Sequence, residues 1–312
     1  MADEPIVDRR LPLWRGLHSR WHEPDRSATG KEARARDQHG AVLPWTGSSL
    51  GPKRKEDRRM SAIPVLLYHA VTEDPPADQV PFTVSPADFA EHAGAVAASG
   101  RVPLTISELA AALRAERPLP ERAVAVTFDD GFIDTPSTVT LLAERDISST
   151  VFIATARIGR ELPTQSLREL LGVPGVELGA HTVSHPYLDE LPLAGARREV
   201  VDSKRQLEES TERDVHSFAY PHGAYETRVR ETVAAAGFSA GAAVKNALSH
   251  RADDPLAIAR WTVRADTAIT EIEKILDGRG APLAWTRERH RTRAYRSARR
   301  LRRRLRLTAD SQ

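Results

Sequence analysis

The chain has 312 residues, which is enough for one large domain with extensions or for two ordinary domains. Its hydrophobic content of 40% and charged content of 28% are those of a globular protein and exclude a chain that is disordered or fibrous throughout. No stretch approaches the roughly 18 consecutive apolar residues that a membrane span needs. The absence of cysteine excludes disulfides and thiolate metal sites, so any metal must be held by His, Asp or Glu.

Residues 1–59 show neither a strand period nor a helix period, and we predict a disordered extension there. They contain no apolar signal-peptide core, so the default expectation is a cytoplasmic protein. Strand-like sequence begins directly after Met60, and we hypothesise that Met60 is the physiological start. The predicted organisation is an extension at 1–59, a folded domain at 60–283 and a basic helix or tail at 284–312.

From residue 60 onward, strand-like runs alternate with helical patterns. The runs are IPVLLYHAV, AVAVTFDD, STVFIA, GVELGAHT, HSFAYP and AIARWTV. Such alternation favours a parallel sheet with helices packed outside it. About six or seven strands in one unit indicate either a barrel or an open doubly wound sheet, and in both the active site lies at the carboxyl ends of the strands.

Charge is concentrated at the C-terminus. The formal net charge is only +2, but residues 287–312 contain eleven Arg against one Glu and one Asp, a charge of +9 that leaves −7 for everything before them. Three interpretations of this Arg-rich segment stay open: a solvated helix or tail, a helix on an anionic membrane surface, and nonspecific contact with nucleic acid. Specific recognition of nucleic acid is not expected.

Polar side chains end two of the predicted strands. Asp129 and Asp130 close one strand, where Gly131 lets the chain turn, and His181 and His185 follow another. In one parallel sheet, both motifs emerge at the same rim. A divalent cation there explains two adjacent carboxylates, because its charge neutralises one and lets the other stay ionised. Two imidazoles and one carboxylate also leave a coordination position open, as in catalytic zinc sites.

Each motif alone has a plainer interpretation. A D-D-G turn is usually only a turn, and an H-x-x-x-H spacing arises by chance; their joint placement is what favours a metal site. The rigid turn formed by Tyr220, Pro221, His222 and Gly223 either aims backbone N–H groups at a developing oxyanion or simply joins a strand to a helix. His69, on an apolar strand, is either a buried core residue or a catalyst.

The ordered set TFDDGF, HTVSH and FAYPHGAY resembles the NodB-type polysaccharide deacetylases, carbohydrate esterase family 4. The opening PVLLYHAV is similar to the branch of that family that carries its histidine motif N-terminally. The resemblance covers residues 62–277. It implies a distorted (β/α) barrel of about seven parallel strands, with residues 60–283 as the catalytic domain.

Carried over residue by residue, the resemblance implies a role for each motif. Asp129 would be the general base that takes a proton from metal-bound water, and His69 would protonate the departing amine. The backbone at His222 would help to stabilise the oxyanion, and Tyr220, Pro221, His222 and Gly223 would bind substrate. The residues implied to hold the metal, usually zinc in this family, are Asp130, His181 and His185.

This sequence departs from the family pattern in three places. Ala219 stands where the better-known branch has an Arg that orients the base, and we hypothesise that Arg260, on a later strand, supplies the missing guanidinium. His222 stands where Tyr or Phe is usual. There is no late Leu-x-His motif, as expected if His69 takes its role. Asp266 either tunes that histidine or is an exposed turn residue.

The leading interpretation is a metal-dependent hydrolase that removes N-acetyl groups from a sugar, glycan or glycoconjugate. The intact Asp and His set argues against a degenerate sugar-binding protein. Two alternatives stay open: hydrolysis of a non-sugar C–N amide bond in the same fold, and a non-catalytic protein that binds membranes or polyanions through its Arg-rich segment. The substrate is left open, and a cytoplasmic, lipid-linked precursor fits the expected compartment best.

Overall fold

The structure, a computed structural model, describes residues 62–285 apart from residues 76 and 78. The predicted extension at 1–59, the proposed start at Met60 and the Arg-rich segment at 287–312 lie outside the described residues, so the predictions made for them stay predictions. None of the helices in the described part is long and apolar enough to cross a lipid bilayer.

Seven parallel strands close into a barrel. The described residues form ten strands, seven of which belong to the barrel: β1 (Ala62–Ile63), β2 (Val65–Tyr68), β3 (Val102–Pro103), β4 (Ala123–Phe128), β5 (Ser149–Ile153), β6 (Val176–Ala180), β7 (Ser217–Ala219), β8 (Ala240–Val244), β9 (Ser249–His250) and β10 (Ile258–Thr262). Around the barrel the order is β2, β10, β8, β7, β6, β5 and β4, and pairing of β4 with β2 completes the ring. The short β3 pairs with β4 outside the ring, and β1 pairs antiparallel with β9. The barrel expectation is therefore confirmed.

Helices alternate with these strands. They are α1 (Pro86–Ala98), α2 (Ile106–Leu113), α3 (Thr135–Ala143), α4 (Thr164–Gly172), α5 (Leu193–Thr211), α6 (Thr227–Ala235) and α7 (Ile269–Leu276). Local sequence sets where they begin: Ser85 accepts the N–H of Asp88 at the start of α1, and Thr105 and Glu108 form a reciprocal capping box at the start of α2.

The barrel interior is a packed core that α2 closes at one end. Ile106 and Leu109 of α2 join a buried cluster with the first residues of several strands, among them Val65 and Ala240. Because these residues begin their strands, α2 closes the amino end of the barrel. Among the described residues, the carboxyl end is therefore the end at which side chains of the barrel can form a site.

Alternation along the strands decides which side chains reach the carboxyl rim. Ala123, Ala125 and Thr127 are alternate residues of β4, and the same parity carries Asp129 inward just beyond the strand's end. Small residues make room inside: a Cβ at Gly179 would lie 2.5 Å from both the Phe152 ring and the Ser217 hydroxyl. The narrow interior thus accommodates a few large side chains at fixed positions.

Candidate active site

The predicted motifs meet at one cavity at the carboxyl rim. Its volume is about 670 Å³. The predicted site residues that line it are His69, Asp129, His181, His185 and His222. They follow the ends of β2, β4, β6 and β7, so barrel closure brings together residues that are more than 150 positions apart in the chain.

Asp130, His181 and His185 form a compact cluster. The Nε2 atoms of the two histidines are 3.1 Å apart, and Asp130 Oδ1 lies 3.2 Å from His185 Nε2 and 3.7 Å from His181 Nε2. One ligand atom from each residue lies within 4.8 Å of the others. The three residues predicted as metal ligands are thus brought together.

The chemistry of this donor set fits a divalent cation. His181 Nδ1 lies 2.8 Å from the carbonyl oxygen of Ala219, and a proton on that nitrogen leaves Nε2 with a free lone pair toward the cluster. Asp130 Oδ1 is buried and receives no hydrogen bond from the described residues. A lone pair and an unsatisfied carboxylate oxygen converging on one point are what a bound cation requires.

Burial keeps His181 and His185 neutral, which is the protonation state in which an imidazole can bind a metal. It lowers the pKa of His181 to about 3 and also lowers the pKa of His185, so both imidazoles are neutral at physiological pH. For Asp130, burial raises the pKa of the carboxyl, partly opposed by the positive charge of Arg157. A cation at the cluster offsets the cost of keeping this carboxylate ionised.

Arg260 holds the second carboxylate. Its Nη1 and Nη2 atoms donate to Asp129 Oδ1 and Oδ2 at 2.6 and 2.7 Å, and Nη1 also lies 3.2 Å from Thr127 Oγ1. Burial by itself raises the pKa of Asp129, but the charge and hydrogen bonds of Arg260 outweigh it and bring the pKa to about 2. Asp129 is therefore a carboxylate at neutral pH, and Arg260 lies where the sequence hypothesis put a guanidinium.

Backbone strain is concentrated at this site. Asp130, His185 and His222 have φ values of 77°, 59° and 58°, in the left-handed region that non-glycine residues rarely adopt. At His185, the backbone N–H donates to the Thr182 hydroxyl at 3.0 Å and helps to hold the turn. Strained conformations that the surrounding structure enforces are typical of functional sites.

The turn Pro221–Gly223 lies against this cluster. The His222 ring is 4.5 Å from the His185 ring and stacks on Tyr187 with centroids 3.9 Å apart. Only glycine fits at Gly223, where φ is 63° and an added Cβ would lie 2.7 Å from Val244 Cβ.

The residues before His222 have a supporting position. Tyr220 is fully buried, and its hydroxyl donates to the carbonyl of Leu256 at 2.8 Å. Pro221 is buried as well. Of the four residues Tyr220, Pro221, His222 and Gly223, His222 lines the cavity, whereas Tyr220 and Pro221 are buried.

His69 lies on the cavity wall opposite the turn. Its ring centroid is 5.3 Å from that of Phe82, and its Nδ1 atom is buried without a hydrogen-bond partner among the described residues. Burial lowers the pKa of His69, and the negative charges of Asp129 and Asp130 act in the opposite direction. Asp266 lines the same cavity, but its side chain is largely exposed and pairs with Arg264 at 3.4 Å, which fits the interpretation as an exposed turn residue.

Sequence reasoning missed two contributors to the site. Arg157 lies 3.9 Å from Asp130 Oδ2, stacks over the Phe132 ring and pairs with Glu161. Tyr187 provides the stacking face beneath His222. The available signal was weak, because Arg157 differs from many surface arginines only in following the end of a strand.

The fold and the site together define a (β/α)-barrel enzyme with a carboxylate and imidazole cluster at its carboxyl rim. Residues 116–241 match the family model described as Polysaccharide deacetylase. A Bacillus subtilis protein named for the same family, YxkH, is 23% identical over 204 residues, which cover 64% of this chain and 71% of that protein. Residues 116–241 therefore form a polysaccharide deacetylase domain of the NodB type, which is the domain of a deacetylase hydrolase. The resemblance carried by the motifs is confirmed.

Two further proteins are similar. A chitooligosaccharide deacetylase of Sinorhizobium fredii is 31% identical over 121 residues, which cover 38% of this chain and 55% of that enzyme. The chain therefore matches only about half the length of this relative. The Streptococcus pyogenes deacetylase PplD in complex with acetate has the same fold, with a TM-score of 0.62 at 23% identity, covering 69% of this chain and 98% of that one.

Proposed function

We propose that the protein is a metal-dependent hydrolase that removes N-acetyl groups from an N-acetylated sugar, glycan or glycoconjugate. One observation carries the proposal: Asp129, ionised and held by Arg260, lies beside the Asp130, His181 and His185 cluster. A base next to a cation site is what hydrolysis of an unactivated amide needs. The name of the Sinorhizobium relative supports an N-acetylated carbohydrate as the substrate.

The metal would be held by Asp130, His181 and His185, and we propose zinc because imidazole and carboxylate ligands in this number are those of catalytic zinc sites. When bound, the ion supplies Lewis acidity, which acidifies the attacking water enough for a weak base to remove its proton.

Asp129 takes the proton of the attacking water. Its carboxylate is turned toward the cluster, with Oδ2 3.7 Å from His181 Nε2. Arg260 donates hydrogen bonds to both carboxylate oxygens of Asp129 and thereby fixes the orientation of the base. The water oxygen bonds to the acetyl carbon, and the carbonyl oxygen becomes an oxyanion.

We assign stabilisation of the oxyanion to the backbone N–H of His222 in the turn Pro221–Gly223, because Pro221 has no N–H and the N–H of Gly223 donates to the carbonyl of Tyr220 at 2.9 Å. The contact between the His222 and His185 rings brings this turn next to the cluster, and the close fit of Gly223 against Val244 makes it rigid. His69, on the opposite wall, gives a proton to the amine as the C–N bond breaks. The products are acetate and a free amino sugar.

The proposal is tested on the full chain by metal analysis and by acetate release from N-acetylglucosamine oligomers. The wild type is expected to bind about one equivalent of a divalent ion and to release acetate, and Asp130→Ala to lose both. The matched control is Asp202→Asn on the exposed surface of α5, which is expected to keep both. Absence of metal and of acetate release in the wild type, even after reconstitution with zinc, would contradict the proposal. Metal without acetate release would direct the search to non-sugar amides.

Attachment to an anionic membrane surface and a cytoplasmic location rest on segments outside the described residues. Both stay predictions. Salt-dependent sedimentation with anionic vesicles, comparing the full chain with one that ends at residue 285, tests the membrane contact.

A further inference from the structure

A buried aspartate lies behind Arg260, in the connection between β8 and β10. The side chain of Asp253 is fully buried, and its hydrogen bonds to other described residues lie within this connection and at the start of β10. Its Oδ1 atom accepts from Lys245 Nζ at 2.9 Å and from the N–H of Asp254 at 3.0 Å. Its Oδ2 atom accepts from the Ser249 hydroxyl at 3.0 Å and from the N–H of Ala259 at 2.8 Å.

Two of these contacts act on the strands beside Arg260. Ala259 directly precedes Arg260, and its N–H needs a partner because the pairing of β10 with β2 begins only at Trp261. Lys245 directly follows Val244, which is the residue of β8 paired with Arg260. The Asp253 carboxylate therefore ties β10 to the end of β8 at the level of the guanidinium-bearing residue.

The rest of the connection between β8 and β10 packs closely against β8. The N–H of Gly241 donates to the carbonyl of Pro255 at 2.9 Å, and a Cβ at Gly241 would lie 2.2 Å from the carbonyl oxygen of Leu256. The same carbonyl accepts the Tyr220 hydroxyl. The connection is thus fixed to β8 and to the turn that carries His222.

Arg260 depends on this support. Its side chain is completely buried, and its Nε atom has no hydrogen-bond partner among the described residues. The guanidinium is held at its far end by Asp129 and Thr127 and lies over the Phe152 ring, 5.3 Å from its centroid, while the position of β10 determines where the side chain begins. A small shift of β10 would misalign both hydrogen bonds to the base.

We propose that Asp253 is a positioning residue for the hydrolytic reaction: it sets the register of β10 against β8, and thereby the contact of Arg260 with Asp129. This inference rests on the proposed role of Asp129 as the base. Its effect on the reaction is therefore expected to pass through Arg260 and to leave metal binding unchanged.

The test is a double-mutant cycle on the metal-loaded enzyme, with acetate release from N-acetylglucosamine oligomers as the assay. Asp253→Asn keeps the size of the side chain but replaces an acceptor with a donor, and kcat is expected to fall about tenfold with KM within about twofold. In an Arg260→Lys background, where the bidentate contact is already lost, the same change is expected to alter kcat less than about twofold. An equal loss of kcat in both backgrounds would overturn the proposal.

Two further variants distinguish an effect on the position of Arg260 from a general disturbance of the connection between β8 and β10. Asp254→Asn removes the neighbouring ion pair with Arg230 on α6 and is expected to leave kcat unchanged. Ser249→Ala removes a single hydrogen bond to Asp253 and replaces Asp253→Asn in the double-mutant cycle if that variant does not fold. We expect it to lower kcat about threefold in the wild-type background and to leave kcat unchanged in the Arg260→Lys background.

A readout without catalysis separates this proposal from the proposed function. Hydrogen exchange at the Arg260 Nε–H, followed by NMR on protein with ¹⁵N-labelled arginine, is expected to be slow in the wild type and in Asp254→Asn, and at least about tenfold faster in Asp253→Asn. Unchanged exchange in a folded Asp253→Asn would overturn the positioning role. A wild type that releases no acetate would instead defeat the proposed function and leave the exchange measurement decisive.

Discussion

Arg260 of β10 holds both carboxylate oxygens of Asp129, which follows β4, at 2.6 and 2.7 Å inside the barrel. The two strands are not neighbours, since β2 lies between them. The closed barrel thus brings the guanidinium of Arg260, on a late strand, to Asp129. The motif FAYPHGAY has Ala219 where the better-known branch of the family has an arginine.

This pair is expected to contribute strongly to stability. Replacing Arg260 by Met leaves the Asp129 carboxylate buried and unpaired, which is expected to lower the free energy of unfolding by about 3–5 kcal/mol. Adding Asp129→Leu is expected to restore most of that loss, because no buried charge remains. Urea unfolding of the metal-free variants measures both effects. Arg205→Met on the exposed surface of α5 is the control, and its free energy of unfolding is expected to change by no more than about 0.5 kcal/mol. A double variant no more stable than Arg260→Met would contradict the account.

The turn after β7 is expected to tolerate no side chain at Gly223. Gly223→Ala places a Cβ 2.7 Å from Val244 Cβ at a φ of 63°, and a loss of about 1–3 kcal/mol in stability is expected together with a loss of kcat. Gly94→Ala is the matched control, since nothing lies within 4 Å of its added Cβ in α1. There the helix is expected to gain about 0.5–1 kcal/mol. Thermal unfolding and acetate release report on both, and full activity of Gly223→Ala would argue against a rigid turn.

Acid sensitivity is expected from the ion pair between Asp254 and Arg230. Burial raises the pKa of Asp254, but the hydrogen bonds from Arg230 and the charge of Arg230 outweigh it, so the pKa lies below its ordinary value of 3.8. A carboxyl with a lowered pKa in the folded state stabilises the fold above that ordinary value and loses this contribution as the pH falls through the folded-state pKa. Asp254→Asn is therefore expected to melt a few degrees below the wild type at pH 7.

The difference between the two proteins is expected to shrink steadily below about pH 4. Melting curves from pH 7 down to pH 3 measure it. A difference that stays constant over this range would show that the pair does not titrate as described.

Metal binding is expected to stabilise the fold through the cluster. Adding zinc to chelator-treated protein at about 100 times the dissociation constant stabilises the folded state by about 2.7 kcal/mol if the ion binds only to that state. The rise in melting temperature is expected to vanish in His181→Gln. His250→Gln, which alters a histidine bonded to the carbonyl of Ala284, is the control that keeps it. An equal rise in His181→Gln would place the ion elsewhere.

Much of the fold could be predicted from alternation of strand and helix patterns, and much of the site from the rule that strand ends share one rim. Asp129 and His181 follow strands at positions where alternation predicts an inward side chain. Asp130 has the opposite parity, and its position depends on the turn, where its φ is 77°. Closure of the sheet could not be predicted from these patterns. It depends on pairing between β2 and β4, whose residues are about 60 positions apart in the chain, and local sequence carries no record of that contact.

Contacts between loops were the least predictable part. Arg157 reaches Asp130 from the segment after β5, and Tyr187 stacks on His222 from the segment before α5. Each depends on how two irregular segments meet over the barrel rim. Such meetings are set by tertiary packing and leave no period or motif in either segment.

The central claim is that Asp129 serves as the base while Asp130, His181 and His185 hold the ion. Its most direct test is acetate release from N-acetylglucosamine oligomers by Asp129→Asn, with metal content measured on the same sample. The account predicts that the variant retains about one equivalent of metal and loses at least about 100-fold in kcat. Retention of wild-type kcat by a metal-loaded Asp129→Asn would contradict it.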